Sequence, residues 1–518
     1  MPSATNGNAA KLQFDTFSNV INGKLTHTEQ TRHGINPATK KPNPEVPQVT
    51  KRDLDDAVRA AKSAFAKWSR TTIEERGKAL SAFADALEDQ TEEFAVLLTK
   101  EQGKPLRVAR EEVFHGHHWM REIAKQSIPD EVLDDNEERQ VVVRYTPLGV
   151  AAAIVPWNFP IHLACGKIAP AVMTGNTIIV KPSPFTPYCG LKLVELAQRF
   201  FPPGVIQALS GDDNLGPWIT SHPGIEKISF TGSTATGKRV MESASKTLKR
   251  VTLELGGKDP AIICKDVDVK TVAPKVRHIS RQLKSSLKIL QIASLAYANS
   301  GQICIALKRI YIHESIYAEF RDEMIEYTKS LVAGDGLEKD TTLGPIQNKP
   351  QYERVQGFFA DIEKEGYNVV VGGKNDTSSP GYFITPTIID NPKEDSRIVV
   401  EEPFGMLPAL SNRAHVWQTN FHVTGPILPI MPWTDLDDVI ARANNTRMGL
   451  GASVWSSDLV AARKIGERLE AGNVWINTHM AIDPRYPFGG HKESGIGSEW
   501  SLSGLKSFCN VQTLFVQK

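Results

Sequence analysis

The spacing of apolar residues changes along the chain and predicts helices first and strands later. Between Lys51 and Glu101 the apolar positions recur every three or four residues, as in DLDDAVRAAKSAFAKW, which is typical of amphipathic helices. Asp53 is predicted as the N-cap of the first helix, because a short carboxylate can accept a hydrogen bond from a free helical N–H group. From Val141 onward, short apolar or β-branched runs such as NTIIVKPSP and KISFTGS end in Gly, Pro, Ser or Thr, which indicates strands.

Helical stretches such as CGLKLVELAQRF and TATGKRVMESASKTL separate these strand-like runs. Strands that alternate with helices favour a parallel sheet covered on both faces. A second stretch of this kind extends from about Asp259 to Asn477, and the C-terminal SFCNVQTLFVQK has the pattern of one more strand. A chain of 518 residues also exceeds what one hydrophobic core usually supports. The sequence therefore predicts an α/β fold with two α/β domains and a strand-like tail.

The composition is that of an ordinary globular protein and favours no charged partner. Hydrophobic residues make up 41% and charged residues 23% of the chain, and the formal net charge of +1 gives no electrostatic reason to bind nucleic acid or an anionic membrane. No apolar run is long enough to span a bilayer. The first residues lack the apolar stretch of a signal peptide, so a cytoplasmic protein is expected. The five cysteines have no paired spacing, which argues against a disulfide framework and raises the question of a reactive thiol.

Three short segments supply the groups that aldehyde oxidation needs. GQICIA places Cys304 just after a predicted turn at Gly301, VTLELGGKDP holds Glu254 between apolar residues and glycines, and VPWNFP holds Asn158 between aromatic residues and prolines. A lone cysteine is more often a core residue. Burial of a carboxylate in an apolar segment, however, is unfavourable in free energy unless the group is paired or functional. A thiolate can attack a carbonyl carbon, and an amide can stabilise the oxyanion. Once a hydride has left to a nicotinamide, a carboxylate can activate water against the resulting thioester.

Seven motifs, taken in order, resemble the signatures of the aldehyde dehydrogenase superfamily and especially of its fungal broad-specificity members. They are PWNFP, KPSP, FTGSTATG, LELGGK, GQIC, EEPFG and PFGGHKESG, and they cover residues from about 30 to 518. The resemblance implies NAD(P)-dependent oxidation of an aldehyde to a carboxylic acid. Cys304 would be the nucleophile, Glu254 the general base, and Asn158 the oxyanion donor together with the backbone N–H of Cys304. The implied cofactor-binding residues are Trp157, Lys181, Ser183, Gly232, Ser233, Gly237, Leu255, Glu402 and Phe404.

The same resemblance divides the chain into three parts. Residues 1–126 and 148–255 would form the NAD(P)-binding domain, and residues 256–483 the catalytic domain. Residues 127–147 with 484–518 would form a small β element for oligomerisation. This organisation implies a homodimer or a homotetramer that acts on a small-molecule aldehyde.

The identity of the cofactor and of the aldehyde is only partly indicated. Lys181 would contact the adenosine ribose, and Ser233, in the turn that opens a helix, would meet the pyrophosphate at the helix N-terminus. Family members often carry a glutamate three residues after this lysine, which would repel a 2′-phosphate, whereas this chain has Pro184. NAD is therefore the predicted cofactor and NADP the alternative. The apolar residues that would line the substrate mouth, and so favour an aliphatic or aromatic aldehyde, are Leu163, Gly166, Ile303, Ile305 and Ile482.

Two segments of this chain depart from the family pattern, because family members have almost no residues at these positions. They are residues 276–291 and residues 406–425, the second of which separates EEPFG from PILPIMPW. Val276 must be encoded by a codon that begins GT and Gln291 can be encoded by CAG, so the first segment can have the ends of an intron. The second segment can be excised in the same way. We interpret both as translated introns, and the alternative is a pair of genuine surface loops.

Other interpretations of the function stay open at the level of the sequence. Acyl transfer to coenzyme A is a rival, but family branches that use this acceptor tend to lack a base at the position of Glu254. A catalytically impaired protein of the same fold, or a faulty gene model, would follow if the inserts spoil the active site. Cys304 could also support an esterase activity.

The remaining histidines and cysteines are predicted to be structural. HGHHW contains His115, His117 and His118, but no ligand set accompanies them at a recognised spacing, so no metal is predicted and they are interpreted as helix-surface or interface residues. Core cysteines are predicted in three strongly apolar segments, at Cys165, Cys189 and Cys264.

Overall fold

The structure is a computed structural model that describes residues 12–269, 288–375, 378–401 and 425–518. Its helices are α1 (Lys51–Trp68), α2 (Ile73–Glu88), α3 (Thr91–Gln102), α4 (Leu106–Ala124), α5 (Pro160–Met173), α6 (Tyr188–Ala197), α7 (Leu215–Ser221), α8 (Thr234–Ser245), α9 (Lys288–Tyr297), α10 (Glu314–Lys329), α11 (Lys349–Glu365), α12 (Arg397–Val400), α13 (Leu436–Asn444), α14 (Leu459–Gly466) and α15 (Ser501–Lys506), with a short 3-10 helix at Ala298–Gly301.

The strands are numbered in the same way. They are β1 (Asn19–Ile21), β2 (Lys24–Thr26), β3 (Thr31–Ile35), β4 (Pro42–Pro47), β5 (Glu131–Asp135), β6 (Arg139–Pro147), β7 (Val150–Ile154), β8 (Thr177–Lys181), β9 (Ile206–Ala208), β10 (Lys227–Thr231), β11 (Arg250–Glu254), β12 (Pro260–Ile263), β13 (Arg309–His313), β14 (Val369–Val371), β15 (Thr387–Asp390), β16 (Ile427–Trp433), β17 (Met448–Gly449), β18 (Gly451–Trp455), β19 (Asn473–Ile476), β20 (His491–Lys492), β21 (Gly495–Ile496) and β22 (Cys509–Gln517).

Helices α1, α2 and α3 occupy the stretch that the sequence predicts as helical, but the predicted cap of α1 is wrong. The N-cap is Thr50, whose hydroxyl accepts a hydrogen bond from the backbone N–H of Asp53. The Asp53 carboxylate accepts in turn from the backbone N–H of Thr50 at 2.8 Å, which completes a capping box. This arrangement is preferred because each of the two side chains accepts a hydrogen bond from the backbone N–H of the other residue. With Asp53 as the cap, this reciprocal pair would be absent.

Among the described residues, the larger sheet has eight strands in the order β2-β1-β9-β8-β7-β10-β11-β21. Neighbouring strands from β9 to β11 are parallel, as the alternation of strands and helices predicts. β7 is covered on both faces: Ala151 and Ala153 belong to the apolar core on one side, and Ala152 belongs to the core on the other. Burial on both faces explains why this strand reads as a continuous apolar run.

The second sheet has seven strands in the order β14-β15-β16-β13-β12-β18-β19 in the part of the chain that the structure describes. All neighbours are parallel except β14 and β15, which are antiparallel. Separate apolar clusters cover its two faces, with Ile262 in one cluster and Ile263 in the other. The two sheets confirm the predicted fold class of two α/β units with parallel strands.

The segment before Pro147 and the C-terminal tail form one small antiparallel sheet. β22 pairs with β6 from Cys509 opposite Pro147 to Gln517 opposite Arg139, and β5 pairs with the other edge of β6. Most side chains of β22 are exposed. β21, which precedes the tail, lies at the edge of the larger sheet, where it is antiparallel to β11. The domain boundaries proposed from the sequence stay predictions.

The structure confirms the predicted burial of three cysteines but places one of the three predicted surface histidines in the interior. Core cysteines are confirmed at the three predicted positions, since Cys165, Cys189 and Cys264 are buried. His117 is buried inside the helix packing rather than on the surface of α4, whereas His115 and His118 are partly exposed. Within the described ranges, no group of three His, Cys, Asp or Glu side chains could hold a metal ion. None of the helices described is long and apolar enough to cross a membrane.

Candidate active site

Four adjacent parallel strands of the larger sheet end at one edge, and most of the predicted site residues lie there. β8, β7, β10 and β11 are neighbours in that order. The carboxyl ends of parallel strands meet at the same edge, which is where ligands bind in open α/β sheets. The predicted residues at or just after these ends are Trp157, Asn158, Lys181, Ser183, Gly232, Ser233, Glu254 and Leu255.

Helix α8 begins at this edge, directly after β10. Ser233 is its N-cap, and the Ser233 hydroxyl accepts a hydrogen bond from the backbone N–H of Thr236 at 3.0 Å. Gly237, in the first turn, approaches Leu255 so closely that a Cβ atom there would lie 2.7 Å from Leu255 Cδ2. Because the first N–H groups of a helix attract anions, this N-terminus is a candidate site for a phosphate group.

Lys181 ends β8 with a buried ammonium group. Burial and then the charge of Arg32 lower the pKa of Lys181 to about 8, while Asp213 acts in the opposite direction. The ammonium donates to the carbonyl oxygen of Pro182 at 3.5 Å, the outer limit of a hydrogen bond. A buried cation with so weak a partner is suited to a ligand that accepts hydrogen bonds. Ser183 shapes the next turn, because its hydroxyl accepts from the backbone N–H of Phe185 at 3.2 Å.

Glu254 is the last residue of β11, and its side chain is only 2% exposed. Its position is fixed by the pairing of β10 with β11, in which Thr231 lies opposite Glu254. The backbone N–H of Gly232 also donates to the Glu254 carbonyl at 3.0 Å. Burial and then the negative charge of Glu499 raise the pKa of Glu254 to about 7, and a hydrogen bond with the Cys304 thiol partly offsets this. A carboxyl group with this pKa is suited to proton transfer near neutral pH.

Cys304 lies in a tight turn between α9 and β13. The backbone N–H of Ala306 donates to the carbonyl oxygen of Ile303 at 3.1 Å, which closes the turn around Cys304. The residues that precede it, Asn299, Ser300 and Gly301, all have positive φ angles of 49°, 57° and 74°, so the predicted turn at Gly301 is confirmed. Burial, and then the charge and hydrogen bond of Glu254, raise the pKa of the Cys304 thiol well above its ordinary value.

Asn158 approaches the same turn from the end of β7. Its side-chain Nδ2 donates to the carbonyl oxygen of Gln302 at 3.1 Å, two residues before Cys304. An amide nitrogen carries two N–H donors, so this bond leaves a second one for an oxyanion. The structure thus brings together a thiol, a carboxyl group and an amide donor from three segments that are far apart in sequence.

A buried ion pair beside Glu254 was not found from the sequence. The Lys167 ammonium contacts the Glu499 carboxylate, and the Ser229 hydroxyl donates to the same carboxylate at 3.0 Å. Both charges influence Glu254: Glu499 raises its pKa and Lys167 lowers it. The one available signal was a lysine in the otherwise apolar segment PIHLACGKIAPAVM of α5.

The residues predicted to line the substrate mouth lie in one apolar region. Leu163, Ile303 and Ile482 are partly buried and pack, like Cys304, against the core that contains Ile305. Gly166 is buried against an indole ring, since a Cβ atom there would lie 2.9 Å from Trp500 Nε1. Two further predicted cofactor residues, Glu402 and Phe404, lie outside the described residues, as do most of the two predicted inserts.

Comparison with known proteins relates this arrangement to one family. The sequence matches the aldehyde dehydrogenase family over residues 25–411 and 406–514. An aldehyde dehydrogenase of Fusarium sp is 40% identical over 508 residues, which cover 98% of this chain and 100% of that protein. The NAD+ complex of an aldehyde dehydrogenase from Bacillus cereus superposes with a TM-score of 0.87 at 32% identity, covering 97% of this chain and 96% of that one. An NADP-dependent enzyme of E. coli gives a TM-score of 0.88 at 30% identity, covering 98% of this chain and 99% of that one.

The contact between Glu254 and Cys304 predicts that the carboxyl group controls the reactivity of the thiol. Glu254→Gln removes a neighbouring negative charge, so the pKa of Cys304 should fall and alkylation by iodoacetamide should reach its plateau at lower pH. The measurement is the alkylation rate as a function of pH. Glu101→Gln is the matched control, because burial raises the pKa of Glu101 to about 7 as well, but this carboxyl group faces Cys189. An alkylation profile that Glu254→Gln leaves unchanged would show that the two side chains are not coupled.

Proposed function

The chain belongs to the aldehyde dehydrogenase family, oxidoreductases that act on aldehydes, and we propose that it oxidises an aldehyde to a carboxylic acid with NAD(P)+ through a thioester on Cys304. The observation that carries this proposal is the contact of the buried Glu254 carboxyl group with the Cys304 thiol. The Asn158 amide reaches the same turn. A nucleophile, a base and an oxyanion donor are the protein groups that the reaction requires.

In the first half of the reaction, Cys304 forms a bond to the carbonyl carbon of the aldehyde. The thiol proton moves to the Glu254 carboxylate that faces it, the sulfur attacks the carbon, and the electron pair of the C=O bond moves to the oxygen. The Asn158 amide and the backbone N–H of Cys304 stabilise that oxyanion. When bound, NAD(P)+ accepts the hydride that the adduct loses, and a thioester remains on Cys304.

In the second half, Glu254 acts on water. After it has released the thiol proton to solvent, the carboxylate takes a proton from a water molecule, whose oxygen attacks the thioester carbon. The C–S bond breaks, Cys304 leaves as a thiolate, and the acid is released. Because the pKa of Glu254 is raised to about 7, a large fraction of this base is ionised at neutral pH while it stays strong enough to activate water.

The edge of the larger sheet fits a dinucleotide. The N-terminus of α8 offers N–H donors for a pyrophosphate. Among the described residues, the hydrogen bond of the buried Lys181 ammonium to Pro182 is long, so ribose hydroxyls could take its place. We propose NAD as the cofactor, with NADP as the alternative because of Pro184. The residues proposed to hold it are Trp157, Lys181, Ser183, Gly232, Ser233, Gly237 and Leu255, together with Glu402 and Phe404 for the nicotinamide ribose.

The surroundings of the site support further proposals about the substrate and the assembly. The apolar region around Cys304 favours an aliphatic or aromatic aldehyde. The small sheet supports a homodimer or homotetramer, because its edge strand β22 leaves Val511 63% and Phe515 77% exposed. Cytoplasmic location stays a prediction from the sequence. Acyl transfer to coenzyme A is disfavoured by Glu254, which is positioned to activate water instead.

We also propose that residues 276–291 and 406–425 are translated introns. The match to the family supports this at the second position, because its two segments overlap at residues 406–411, where that insert begins. The second insert would start two residues after Phe404, which is proposed to lie near the nicotinamide. The family, the fold and the assembled side chains do not favour the alternative of a protein that has lost its activity.

The first functional prediction concerns the nucleophile. Cys304→Ala should lower both aldehyde oxidation and ester hydrolysis by roughly a thousandfold or more, because both reactions need the same thiolate. NAD(P)H absorbance and release of p-nitrophenol measure the two activities. Cys264→Ala is the control, since this thiol is also buried and has a raised pKa but lies on the second sheet. Retention of either activity by Cys304→Ala would disprove the assignment.

The second concerns the base. Deacylation in the unmodified protein should speed up as the pH rises through about 7, where Glu254 becomes ionised, and should level off above it. Glu254→Gln should remove this pH dependence and slow turnover by about a hundredfold or more, while a burst of NAD(P)H survives because water can accept the proton of the more acidic thiol. Stopped-flow measurements separate the burst from turnover. Loss of the burst would place the essential action of Glu254 in the first step.

The third concerns the inserts. A chain that lacks residues 276–291 and 406–425 should oxidise a simple aldehyde about tenfold faster or more than the full chain, since displacement of cofactor groups by about 1 Å can reduce a rate on the order of a hundredfold. The two proteins are compared by NAD(P) reduction at equal concentration, with circular dichroism as a control for folding. Equal rates, or a messenger RNA that retains both segments, would identify the segments as genuine loops.

A further inference from the structure

A buried lysine outside the catalytic trio contacts the segment that carries Asn158. Lys104, in the loop between α3 and α4, is fully buried and forms an ion pair with the equally buried Glu112. Its ammonium group also donates to the backbone carbonyl oxygen of Asn158 at 2.8 Å and lies 3.8 Å from the centre of the Phe159 ring. An ammonium group has three donors, and here its surroundings are a carboxylate, a carbonyl oxygen and an aromatic face.

Glu112 ties this contact to the start of α5. Its carboxylate accepts hydrogen bonds from the backbone N–H groups of Ile161 at 2.9 Å and His162 at 3.3 Å. The side chain of the N-cap residue, Phe159, makes no capping bond, so Glu112 satisfies two free donors of the helix from outside. The segment Asn158–Phe159 is therefore held on both sides. Lys104 binds its carbonyl group, and Glu112, the ion-pair partner of Lys104, binds the helix that follows it.

The loop that carries Lys104 is also bonded to the turn of Cys304. The backbone N–H of Gln347 donates to the side-chain oxygen of Gln302 at 2.9 Å, and the Gln347 side chain donates to the carbonyl oxygen of Glu101 at 3.0 Å. Glu101 is three residues before Lys104. Since Asn158 donates to the carbonyl oxygen of Gln302, the contacts form a closed ring through Asn158, Gln302, Gln347 and the 101–104 segment.

The backbone geometry of this loop requires close approach. Gly103 has a φ angle of +95°, and a Cβ atom there would lie 2.7 Å from Pro345 Cγ. Pro345 carries the carbonyl oxygen that accepts from the Gln302 side chain at 3.2 Å. The loop before Lys104 is thus packed directly against the segment that holds the Cys304 turn.

We propose that Lys104 is a positioning residue that sets the Asn158 amide at the correct distance from Cys304 for oxyanion stabilisation, a role that rests on the proposed function of these two residues. Lys104 touches neither substrate nor cofactor in this proposal. It acts through the Asn158 carbonyl group, while Glu112 neutralises its charge and fixes the adjoining helix. Alkylation of Cys304 forms no oxyanion, whereas acylation by an ester does, so the two reactions should respond differently.

The test compares these two reactions in the full chain. Lys104→Met combined with Glu112→Gln removes the ion pair without leaving a buried charge unpaired. The rate of Cys304 acylation by p-nitrophenyl acetate should fall by about tenfold to a hundredfold, because a displacement on the order of 1 Å weakens oxyanion stabilisation. The rate of alkylation by iodoacetamide should stay within about twofold of the unmodified protein, since the turn of Cys304 keeps its other bonds.

The matched control is a second buried lysine pair. Lys192 contacts Glu195 at 2.6 Å and lies 5.3 Å from the centre of the Phe17 ring, so Lys192→Met with Glu195→Gln removes similar interactions away from the Cys304 turn. It should leave both reaction rates unchanged. Equal acylation rates in the Lys104 double variant and in this control would overturn the proposal, and so would a parallel loss of alkylation, which would indicate general disruption.

A second measurement separates positioning from stability. In an Asn158→Ala background, the Lys104→Met and Glu112→Gln substitutions should cause little further loss of acylation, because the donor they position is already absent. A full additional loss would contradict the proposal. If neither the full chain nor the chain that lacks residues 276–291 and 406–425 shows acylation or aldehyde oxidation, the proposed function itself fails. That outcome differs from an active chain that is insensitive to Lys104.

Discussion

The contact between the buried Glu254 carboxyl group and the Cys304 thiol is the constraint on which the active site depends. Glu254 stands at the end of β11, between β10 and β21 in the larger sheet. Cys304 lies in the loop that leads to β13 in the second sheet. The contact therefore depends on how the two sheets are placed relative to one another. The hydrogen bond from the Asn158 amide to the Gln302 carbonyl oxygen also joins the larger sheet to the Cys304 turn.

The sequence predicted the parts of this arrangement that follow from local pattern. Apolar spacing predicted the helices between Lys51 and Glu101, and short apolar runs predicted strands, because the pattern of buried side chains follows the local structure. The alternation of these strands with helices predicted a parallel sheet. The proposed catalytic residues were predicted because Glu254 lies in an apolar segment and because seven motifs occur in a known order. The cap of α1 was misplaced since Thr50 and Asp53 are both good capping residues, and only their geometry distinguishes cap from partner.

The buried charges could not be predicted, because their partners are distant in sequence. Lys167 and Glu499 are 332 residues apart, and Lys104 reaches Asn158 across 54 residues. A lysine in an apolar helix indicates that a partner must exist, since an unpaired buried charge is highly unfavourable. It does not indicate which carboxylate, carbonyl oxygen or aromatic ring the fold will bring to it. The contacts that support the proposed positioning role of Lys104 are therefore visible only in three dimensions.

The charges around Glu254 explain why the pKa of this buried carboxyl group is raised to about 7. The neighbouring Glu499 carboxylate contacts the Lys167 ammonium and accepts a hydrogen bond from the Ser229 hydroxyl. In the part of the chain that the structure describes, one carboxyl oxygen of Glu254 is buried without a hydrogen-bond partner. The charge of Glu499 makes ionisation of Glu254 less favourable, and the charge of Lys167 partly offsets this effect. Burial is the largest cause of the raised pKa of Glu254, and the charge of Glu499 adds to it, which supports the proposal that this carboxyl group exchanges protons with the thiol and with water.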